Sequence, residues 1–379
     1  MEATTSTQVR RVSRSSTRAT TLSVIAQVWP WLFLLVLVTY FSITGTGFFT
    51  VRNFSNILVT STLVMLMATG QTYVIITGGI DLSIGYTVGL ASVVSAELMR
   101  TLGNNGVDPT LAIAAGVLAG LGAVLIPGLA NGILIAKVKV PPFIATLGMW
   151  GIVRGAAFLL TTGKNVVGDL PADVRAVLRQ VGNGSLLYRI EDMGLVWFRQ
   201  PDDLTREQLR SLQRLLPYPV LITAVVVLVF AFVLARTKFG RRTYAIGGSK
   251  EAALRAGINV ERHLIVIYLL SALTAGIAGI LHVFRFTAGS PLVGEPVLLD
   301  SVAAVVIGGT DLFGGEGRIS GTVVGALIIA VLQTGLVMLN IDALWQFIVI
   351  GCTIIIAVLV NRLREYFEKQ QQEHQEEYA

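Results

Sequence analysis

An arginine at position 154 stands in the middle of an otherwise apolar stretch. A charged side chain at the centre of a membrane-spanning helix costs roughly 2.5–3.5 kcal/mol, so it usually faces a cavity or a partner. At helical spacing, Trp150 lies one turn before Arg154, and Thr161 lies two turns after it on about the same face. A guanidinium beside an aromatic ring suits a neutral, polyhydroxylated ligand. The alternative is a structural ion pair with Asp300 or Asp81.

Two motifs combine glycines with a carboxylate and a hydroxyl where the helical pattern breaks. One contains Gly78, Gly79, Asp81 and Ser83, and the other contains Gly308, Gly309 and Asp311. Glycine-interrupted spans expose backbone groups that can line a pathway or a gate. Each aspartate could instead be the N-cap of the helix that follows. The two roles are compatible, and the sequence leaves both open.

Three amide side chains also occur within apolar stretches, at Gln71, Asn131 and Gln333. Each could donate a hydrogen bond to a ligand hydroxyl. We interpret them first as bridges between neighbouring helices, because polar side chains commonly link helices in lipid.

A basic segment at 236–263 contains the pattern EAAxxxG, formed by Glu251, Ala252, Ala253 and Gly257. The residues between its ends are strong helix formers, Ser249 is a suitable N-cap, and Gly257 is placed to end the helix. The pattern predicts a short, rigid helix whose small residues let a partner sit close. Such a helix could transmit a mechanical stroke from another polypeptide.

No catalytic pattern accompanies these residues. The sequence lacks GxxxxGK[ST], HExxH and GxSxG, and it has no cluster of cysteine and histidine. We therefore expect no enzymatic activity, no metal and no cofactor on this chain, so that energy must come from a partner. The single cysteine, Cys352, lies in an apolar run and is expected to be inert core.

The composition indicates lipid as the solvent for most of the chain. Of 379 residues, 53% are hydrophobic and only 14% are charged, whereas soluble domains carry roughly 25% charged residues. The net charge of +6 does not point to nucleic acid, because the basic residues cluster near the N-terminus and between the apolar stretches. This clustering is typical of the cytoplasmic face of a membrane protein.

The apolar stretches predict an all-α polytopic membrane protein of about ten transmembrane helices, with eight or nine as the alternative. The predicted spans are about 24–43, 57–77, 84–98, 110–136, 142–162, 218–235, 264–286, 297–310, 319–339 and 343–360. Lysine and arginine in the short loops predict that both termini and the 236–263 loop are cytoplasmic. The predicted organisation is a basic N-terminus (1–23), a membrane domain (24–360) and a polar tail (361–379). Whether the segments 78–85 and 308–318 are loops or re-entrant pieces stays open.

The segment 163–217 is predicted to be an extracytoplasmic insertion. It holds eight basic and seven acidic residues, and long, charge-balanced loops translocate with little regard to charge. Apolar spacing predicts amphipathic helices at 169–181 and 204–216. They are either surface decoration or a docking ledge for an external partner.

Glycines recur at four-residue spacing, which predicts close helix packing in a compact bundle. The pairs are Gly85/Gly89, Gly116/Gly120, Gly128/Gly132, Gly151/Gly155 and Gly321/Gly325.

Four blocks resemble the sugar-permease family of ATP-binding-cassette (ABC) importers for ribose, xylose and galactose. They are GGIDLSIG at 78–85, TKFGRRTYAIGG at 237–248, AALRAGINVER at 252–262 and LLDSVAAVVIGGTDLFGGEGRISG at 298–321. The departures are the charged 163–217 insertion and Asp311, where relatives often carry serine. The resemblance implies that EAAxxxG is the coupling helix that fits a groove of the ATPase subunit.

The resemblance further implies a multi-pass subunit of the bacterial inner membrane, paired with a second permease protomer as a homodimer. An ABC ATPase subunit would hold ATP and magnesium, and an extracytoplasmic binding protein would deliver the sugar. The expected cargo is a monosaccharide, with a pentose such as ribose or xylose favoured. The alternatives are a branched-chain amino acid ABC permease, in which Arg154 would meet a substrate carboxylate, and an ion-coupled sugar symporter.

Overall fold

A computed structural model describes residues 29–359, except for positions 192, 199, 202, 203, 343 and 357. The basic N-terminus 1–23, the start of the first predicted span and the tail 361–379 lie outside the described residues.

The described chain is built from helices with one small sheet. In chain order the helices are α1 (Trp29–Thr44), α2 (Val51–Ile76), α3 (Ile84–Asn104), α4 (Pro109–Ala136), α5 (Pro142–Leu160), α6 (Ala172–Gly182), α7 (Arg206–Ser211), α8 (Tyr218–Arg236), α9 (Lys238–Gly248), α10 (Lys250–Arg255), α11 (Val260–Phe286), α12 (Leu298–Ile307), α13 (Ile319–Met338) and α14 (Leu344–Ile356). The strands are β1 (Leu187–Ile190), β2 (Gly194–Trp197) and β3 (Gln213–Arg214).

Side-chain caps fix where several of these helices begin. At the start of α4, the Asp108 carboxylate accepts hydrogen bonds from the backbone N–H groups of Thr110 and Leu111, and Pro109 occupies the first helical position. At the start of α2, the Thr50 hydroxyl accepts from the N–H of Asn53. These caps satisfy backbone donors that a helix start otherwise leaves unpaired.

Among the described residues, six helices are long and apolar enough to cross a membrane: α2, α4, α5, α8, α11 and α13. In the most apolar window of α2, 83% of residues are buried, and in that of α11 67% are buried, whereas the value is 28% for both α5 and α8. Helices α2 and α11 therefore form the centre of the bundle, and α5 and α8 lie at its surface. The multi-pass helical architecture predicted from the sequence is confirmed.

Three of the five predicted glycine pairs lie at close helix contacts, and a fourth, Gly85/Gly89, packs against the non-helical residues 288–297. A Cβ on Gly128 would overlap Ala272 of α11 at 2.6 Å, and one on Gly132 would approach Ile265 at 2.8 Å. Gly151 and Gly155 make no such contact within the chain, because nothing lies within 4 Å of a Cβ at either position. Helix α5 presents these two glycines on its exposed face.

The insertion 163–217 is not all helical, which corrects the all-α prediction. Helix α6 forms where an amphipathic helix was predicted, but α7 is shorter than predicted and runs into β3. The three strands form an antiparallel sheet in the order β2-β1-β3. The insertion and the 236–263 segment lie at opposite ends of α8, as their predicted placement on opposite sides of a membrane requires.

Several predicted spans differ in length from the helices observed, among them those of α3 and α12. Helix α3 has 21 residues and extends beyond the predicted end at 98. Helix α12 has only 10 residues, which corresponds to about 15 Å and is too short to cross a hydrocarbon core of roughly 30 Å. The prediction that Cys352 is core is also wrong, since this residue is exposed on α14.

Candidate functional site

Residues 288–297 form a non-helical segment that directly precedes α12 and extends the chain through the bundle beyond the length of that short helix. Glycines of α3 allow this segment to pack closely against the helix. A Cβ on Gly89 would overlap the carbonyl of Pro291, and a Cβ on Gly85 would lie 3.0 Å from the carbonyl oxygen of Gly294. The N–H of Ser290 donates to the Ser92 hydroxyl at 3.1 Å. Since Ser92 and Gly85 are seven residues apart on α3, the segment descends about 10 Å alongside that helix. We call residues 288–297 the descending segment.

Proline explains why the descending segment is not a helix. Pro291 and Pro296 each lack a backbone N–H and disfavour helical geometry in the residue before them. Its start is fixed by Thr287, which ends α11 in the left-handed conformation at φ 53°, and by paired backbone hydrogen bonds between Gly289 and Val167 of 2.7 and 2.9 Å. The descending segment and α12 together form a discontinuous element, non-helical in its first half and helical in its second half. We call this element the passage. Discontinuous passages are where membrane transporters commonly place their sites.

Arg154 lies beside two aromatic rings. Its guanidinium carbon is 5.4 Å from the centre of the Trp150 ring and 5.5 Å from that of the Tyr86 ring, both within the range of cation–π attraction. The two rings meet edge to face, with centres 5.1 Å apart. Tyr86 is buried, whereas Arg154 is exposed, so the group has one open side.

Glu295, on the descending segment, completes this group. Its carboxylate lies beside the hydroxyl of Tyr86, but that hydroxyl forms no well-aligned hydrogen bond with any described residue. Tyr86 and Glu295 were not among the residues singled out from the sequence. Glu295 could have been found as a lone acid next to a proline between two apolar runs, whereas Tyr86 carries no such signal.

Arg154 forms neither of the ion pairs considered from the sequence. Asp300 of α12 accepts a hydrogen bond from Nε2 of Gln333 in α13 at 2.9 Å, and Asp81 is surrounded by hydroxyl donors. The hydroxyl of Thr161 is turned back to the carbonyl of Phe158 at 3.1 Å, so it does not extend the Arg154 face. Gln333 and Asp300 therefore bridge two helices.

Asp81 lies at the centre of a buried polar network. One carboxylate oxygen accepts from the N–H of Ser83 at 3.1 Å and from its hydroxyl at 2.6 Å, and the other accepts from the Ser271 hydroxyl at 2.8 Å. The amide of Gln71 donates to the Asp81 carbonyl at 2.6 Å, and that of Asn131 donates to the Ser83 hydroxyl at 2.9 Å. This network joins α2, α3, α4 and α11. The structure thus brings together Asp81, Gln71 and Asn131, and no hydrogen bond found among the described residues joins this network to Arg154.

The two glycine–aspartate motifs pack against each other. The N–H of Gly315 donates to the carbonyl of Ile76 at 2.8 Å, and a Cβ on Gly314 would lie 2.8 Å from the nitrogen of Gly78. The second motif is a turn, in which the Asp311 carboxylate accepts from the N–H of Phe313 at 3.0 Å. Because α13 starts only at Ile319, the interpretation of Asp311 as an N-cap is wrong.

The EAAxxxG pattern forms the predicted helix, α10. The Ser249 hydroxyl accepts from the N–H of Ala252 at 3.2 Å, and Gly257 follows the helix with φ +78°. Glu251 and Ala252 are exposed, whereas Ala253 is buried at 3% exposure and anchors α10 against the bundle. Of the four residues named from the sequence, only Ala253 therefore faces inward.

Helix α9 connects α10 to the glycine–aspartate motifs. A Cβ on Gly247 would overlap the carbonyl oxygen of Ile76 and lie 2.5 Å from the nitrogen of Gly315. The Tyr244 hydroxyl donates to the carbonyl of Gly317 at 2.7 Å. Burial raises the pKa of Tyr244, so the hydroxyl stays protonated and keeps donating. The basic loop is thus in direct contact with the end of α2 and with the turn between α12 and α13.

Sequence comparison decides what class of protein carries this arrangement. Residues 53–358 match the family described as branched-chain amino acid transport system / permease component. The chain belongs to this permease family. Membership confirms the resemblance carried by the four sequence blocks and establishes the permease as a transport component rather than an enzyme.

Curated relatives of the permease cover most of its length. The ribose import permease of Bacillus subtilis is 38% identical over 339 residues, covering 89% of this chain and 94% of the relative. The fructose import permease of Rhizobium meliloti is 36% identical, covering 87% and 83%. The xylose transport system permease of Haemophilus influenzae is 33% identical, covering 89% and 97%. No solved structure matches the permease significantly.

Proposed function

We propose that this permease is the membrane-spanning subunit of an ATP-driven importer for a monosaccharide, with a pentose such as ribose or xylose favoured. The observation that carries the proposal is the 38% identity to a ribose import permease over nearly the full length of both chains. The fructose and xylose relatives support the same cargo class. The permease would lie in the bacterial inner membrane with about ten crossings and both termini in the cytoplasm.

In this proposal a separate ATPase subunit acts on α10. The exposed Glu251 and Ala252 would meet the ATPase, while the buried Ala253 holds α10 to the bundle. Motion would pass through α9 to Gly315 and Ile76, and so to the passage formed by the descending segment and α12. ATP and magnesium would be held by the partner, with no cofactor on the permease.

The outer side of the permease offers a site for an external binding protein. A cavity of about 490 Å³ lies between the start of α2, the insertion and the end of α11. Three arginines line it, Arg52, Arg214 and Arg285, and no acidic side chain does so among the described residues. Acidic groups on a sugar-binding protein would complement this charge and steer its approach. This assigns the insertion the role of a docking ledge.

A second permease protomer would complete the pathway. Helix α5 exposes Gly148, Gly151 and Gly155, and nothing lies within 4 Å of a Cβ at any of them. Since small residues allow close helix approach in lipid, this face suits a second copy of the chain. A homodimer would place two copies of the Arg154 group near a shared central pathway.

The branched-chain amino acid alternative has one specific observation in its favour, the description of the matching family. In that case Arg154 would bind the substrate carboxylate. The ion-coupled symporter is less consistent with α10, because a symporter needs no helix for an ATPase to move.

Transport in vesicles tests the proposal. The permease would be reconstituted with its ATPase and binding protein, and uptake of labelled ribose and xylose would be measured with and without ATP. We expect uptake that needs ATP, survives a protonophore and is competed by sugars but not by leucine. Competition by leucine alone would favour the amino acid alternative, and uptake by the permease alone on an ion gradient would favour the symporter.

A further inference from the structure

The buried hydroxyl of Tyr86 is one of eight buried side-chain polar atoms without a hydrogen-bond partner among the described residues, and it is the one that lies beside Arg154. Tyr86 has no exposed surface, yet its hydroxyl makes no well-aligned hydrogen bond with any described residue. Leaving a buried hydroxyl without a partner costs about 1–3 kcal/mol. The Glu295 carboxylate on the descending segment interacts with Tyr86. A hydroxyl without a well-aligned partner, with a carboxylate and a guanidinium in its surroundings, is suited to bind a ligand.

The chemistry around this hydroxyl defines the ligand. A carboxylate only accepts hydrogen bonds, a guanidinium only donates them, and a tyrosine hydroxyl does both. A ligand hydroxyl lying between Tyr86 and Glu295 would accept from the tyrosine and donate to the carboxylate. A second hydroxyl could accept from Arg154, whose planar donor fork matches oxygens held at fixed spacing. Adjacent hydroxyls on one ring meet these demands.

We propose that Tyr86, Glu295 and Arg154 form a binding station for vicinal hydroxyls of a monosaccharide, with the Trp150 ring as its apolar wall. This inference rests on the proposed function and deepens it, because it places sugar selection within the permease as well as in the binding protein. Glu295 and Arg154 carry opposite charges, so the net charge of the pair is zero. This balance favours a neutral ligand over an anion. The station lies where the descending segment gives way to α12, and its open side is the exposed side of Arg154.

The location couples the station to the cytoplasmic end of the permease. Glu295 lies three residues before α12, whose far end at Gly308 leads into the turn that contacts Ile76. Movement of α12 would therefore shift Glu295 relative to Tyr86 of α3. The station would hold the sugar in one state of the passage and release it in the other.

The test compares uptake of the pentose with uptake of its deoxy analogues, each lacking one hydroxyl. The complete complex would be studied in proteoliposomes, using whichever of ribose and xylose the wild type imports faster. The variants are Tyr86→Phe, which removes one oxygen atom, and Glu295→Gln, which is nearly isosteric. Glu191→Gln, at an exposed position directly after β1 and outside the arginine-lined cavity, is the matched control. The preference for the intact sugar is the ratio of its uptake to the uptake of a deoxy analogue. This ratio does not depend on how much complex each preparation contains.

We expect Tyr86→Phe and Glu295→Gln each to lower this preference about tenfold for one of the analogues, the effect of one good hydrogen bond. The Glu191→Gln preference should equal that of the wild type. A variant that imports nothing but still hydrolyses ATP in response to the loaded binding protein also supports the station. Unchanged preference in both variants would overturn it, as would variants that lose ATP hydrolysis together with uptake. If the wild type imports neither pentose nor another monosaccharide, the proposed function itself fails.

Discussion

Gly247 of α9 packs so closely against the carbonyl of Ile76 at the end of α2 that a single added Cβ would overlap the oxygen. The same glycine lies against Gly315, which donates a hydrogen bond to that carbonyl. Backbone contact of this kind leaves no flexible side chain to absorb movement. A displacement of α9 is therefore passed to the end of α2 and to the turn that follows α12.

The left-handed turn after α10 gives a prediction about coupling. Gly257 has φ +78°, a conformation that costs an L-residue about 1–2 kcal/mol, and nothing lies within 4 Å of a Cβ there. Gly257→Val should therefore distort the end of α10 without a clash and lower sugar uptake at least tenfold. The measurement is ATP-driven uptake in proteoliposomes.

Gly106 provides the control for this substitution. It has φ +76° and the same open surroundings, but it lies between α3 and α4 at the opposite end of the bundle. Gly106→Val should cost similar stability and leave uptake close to wild type. Equal uptake by the two variants would show that α10 has no special role in coupling.

Charge reversal at Glu251 tests the surface of α10 that faces the proposed ATPase. Glu251 is exposed and takes part in no ion pair among the described residues, so Glu251→Lys should not disturb the fold of the permease. We expect normal membrane insertion with at least tenfold weaker ATPase binding, measured by co-purification. Retention of full ATPase binding would remove Glu251 from the contact.

The Asp81 network gives a prediction about stability. Asp81→Ala would leave the buried hydroxyls of Ser83 and Ser271 without their acceptor, which should destabilise the permease by about 2–4 kcal/mol. Asp311→Ala removes a carboxylate that accepts one backbone hydrogen bond at a less buried turn, and it should cost about 1 kcal/mol or less. Thermal unfolding in detergent should show a clearly larger drop for Asp81→Ala. Equal drops would mean that the network contributes little.

Two glycines of the same spacing pattern should respond differently to alanine. Gly89→Ala forces a Cβ into the carbonyl of Pro291, so it should destabilise the permease by about 1–3 kcal/mol and displace the descending segment. Gly151→Ala meets no atom within 4 Å and should leave the stability of the single chain unchanged. Unfolding in detergent measures both. A stable Gly89→Ala variant would contradict the close packing of the descending segment on α3.

Much of this architecture follows from local sequence. Apolar length predicts the spanning helices, and Ser249 and Gly257 predict both ends of α10, because caps and left-handed turns depend on residues a few positions apart. The four glycine pairs at close backbone contacts were predictable for the same reason. Gly151 and Gly155 show the limit of the rule, since spacing identifies a smooth face but not what that face meets.

The sequence identifies the polar residues of the bundle, but it does not show which of them contact one another. Asp81, Gln71, Asn131 and Arg154 all stand out as polar residues in apolar surroundings, yet their partners depend on how distant helices pack. Ser271 lies 190 positions from Asp81, and no local pattern connects them. The predicted spans 264–286 and 297–310 left almost all of the descending segment between them, because hydropathy does not reveal a segment that is held by backbone contacts and prolines.

The comparison of Gly247→Ala with Gly248→Ala tests the central claim most directly. Both glycines lie at the end of α9, but a Cβ meets Ile76 only at position 247, and nothing lies within 4 Å of one at position 248. The quantity to measure is sugar imported per ATP hydrolysed by the reconstituted complex. We expect Gly247→Ala to lower this ratio at least tenfold while ATP hydrolysis continues, and Gly248→Ala to keep the wild-type ratio. Identical ratios in the two variants would contradict the transmission of force from α9 to the passage.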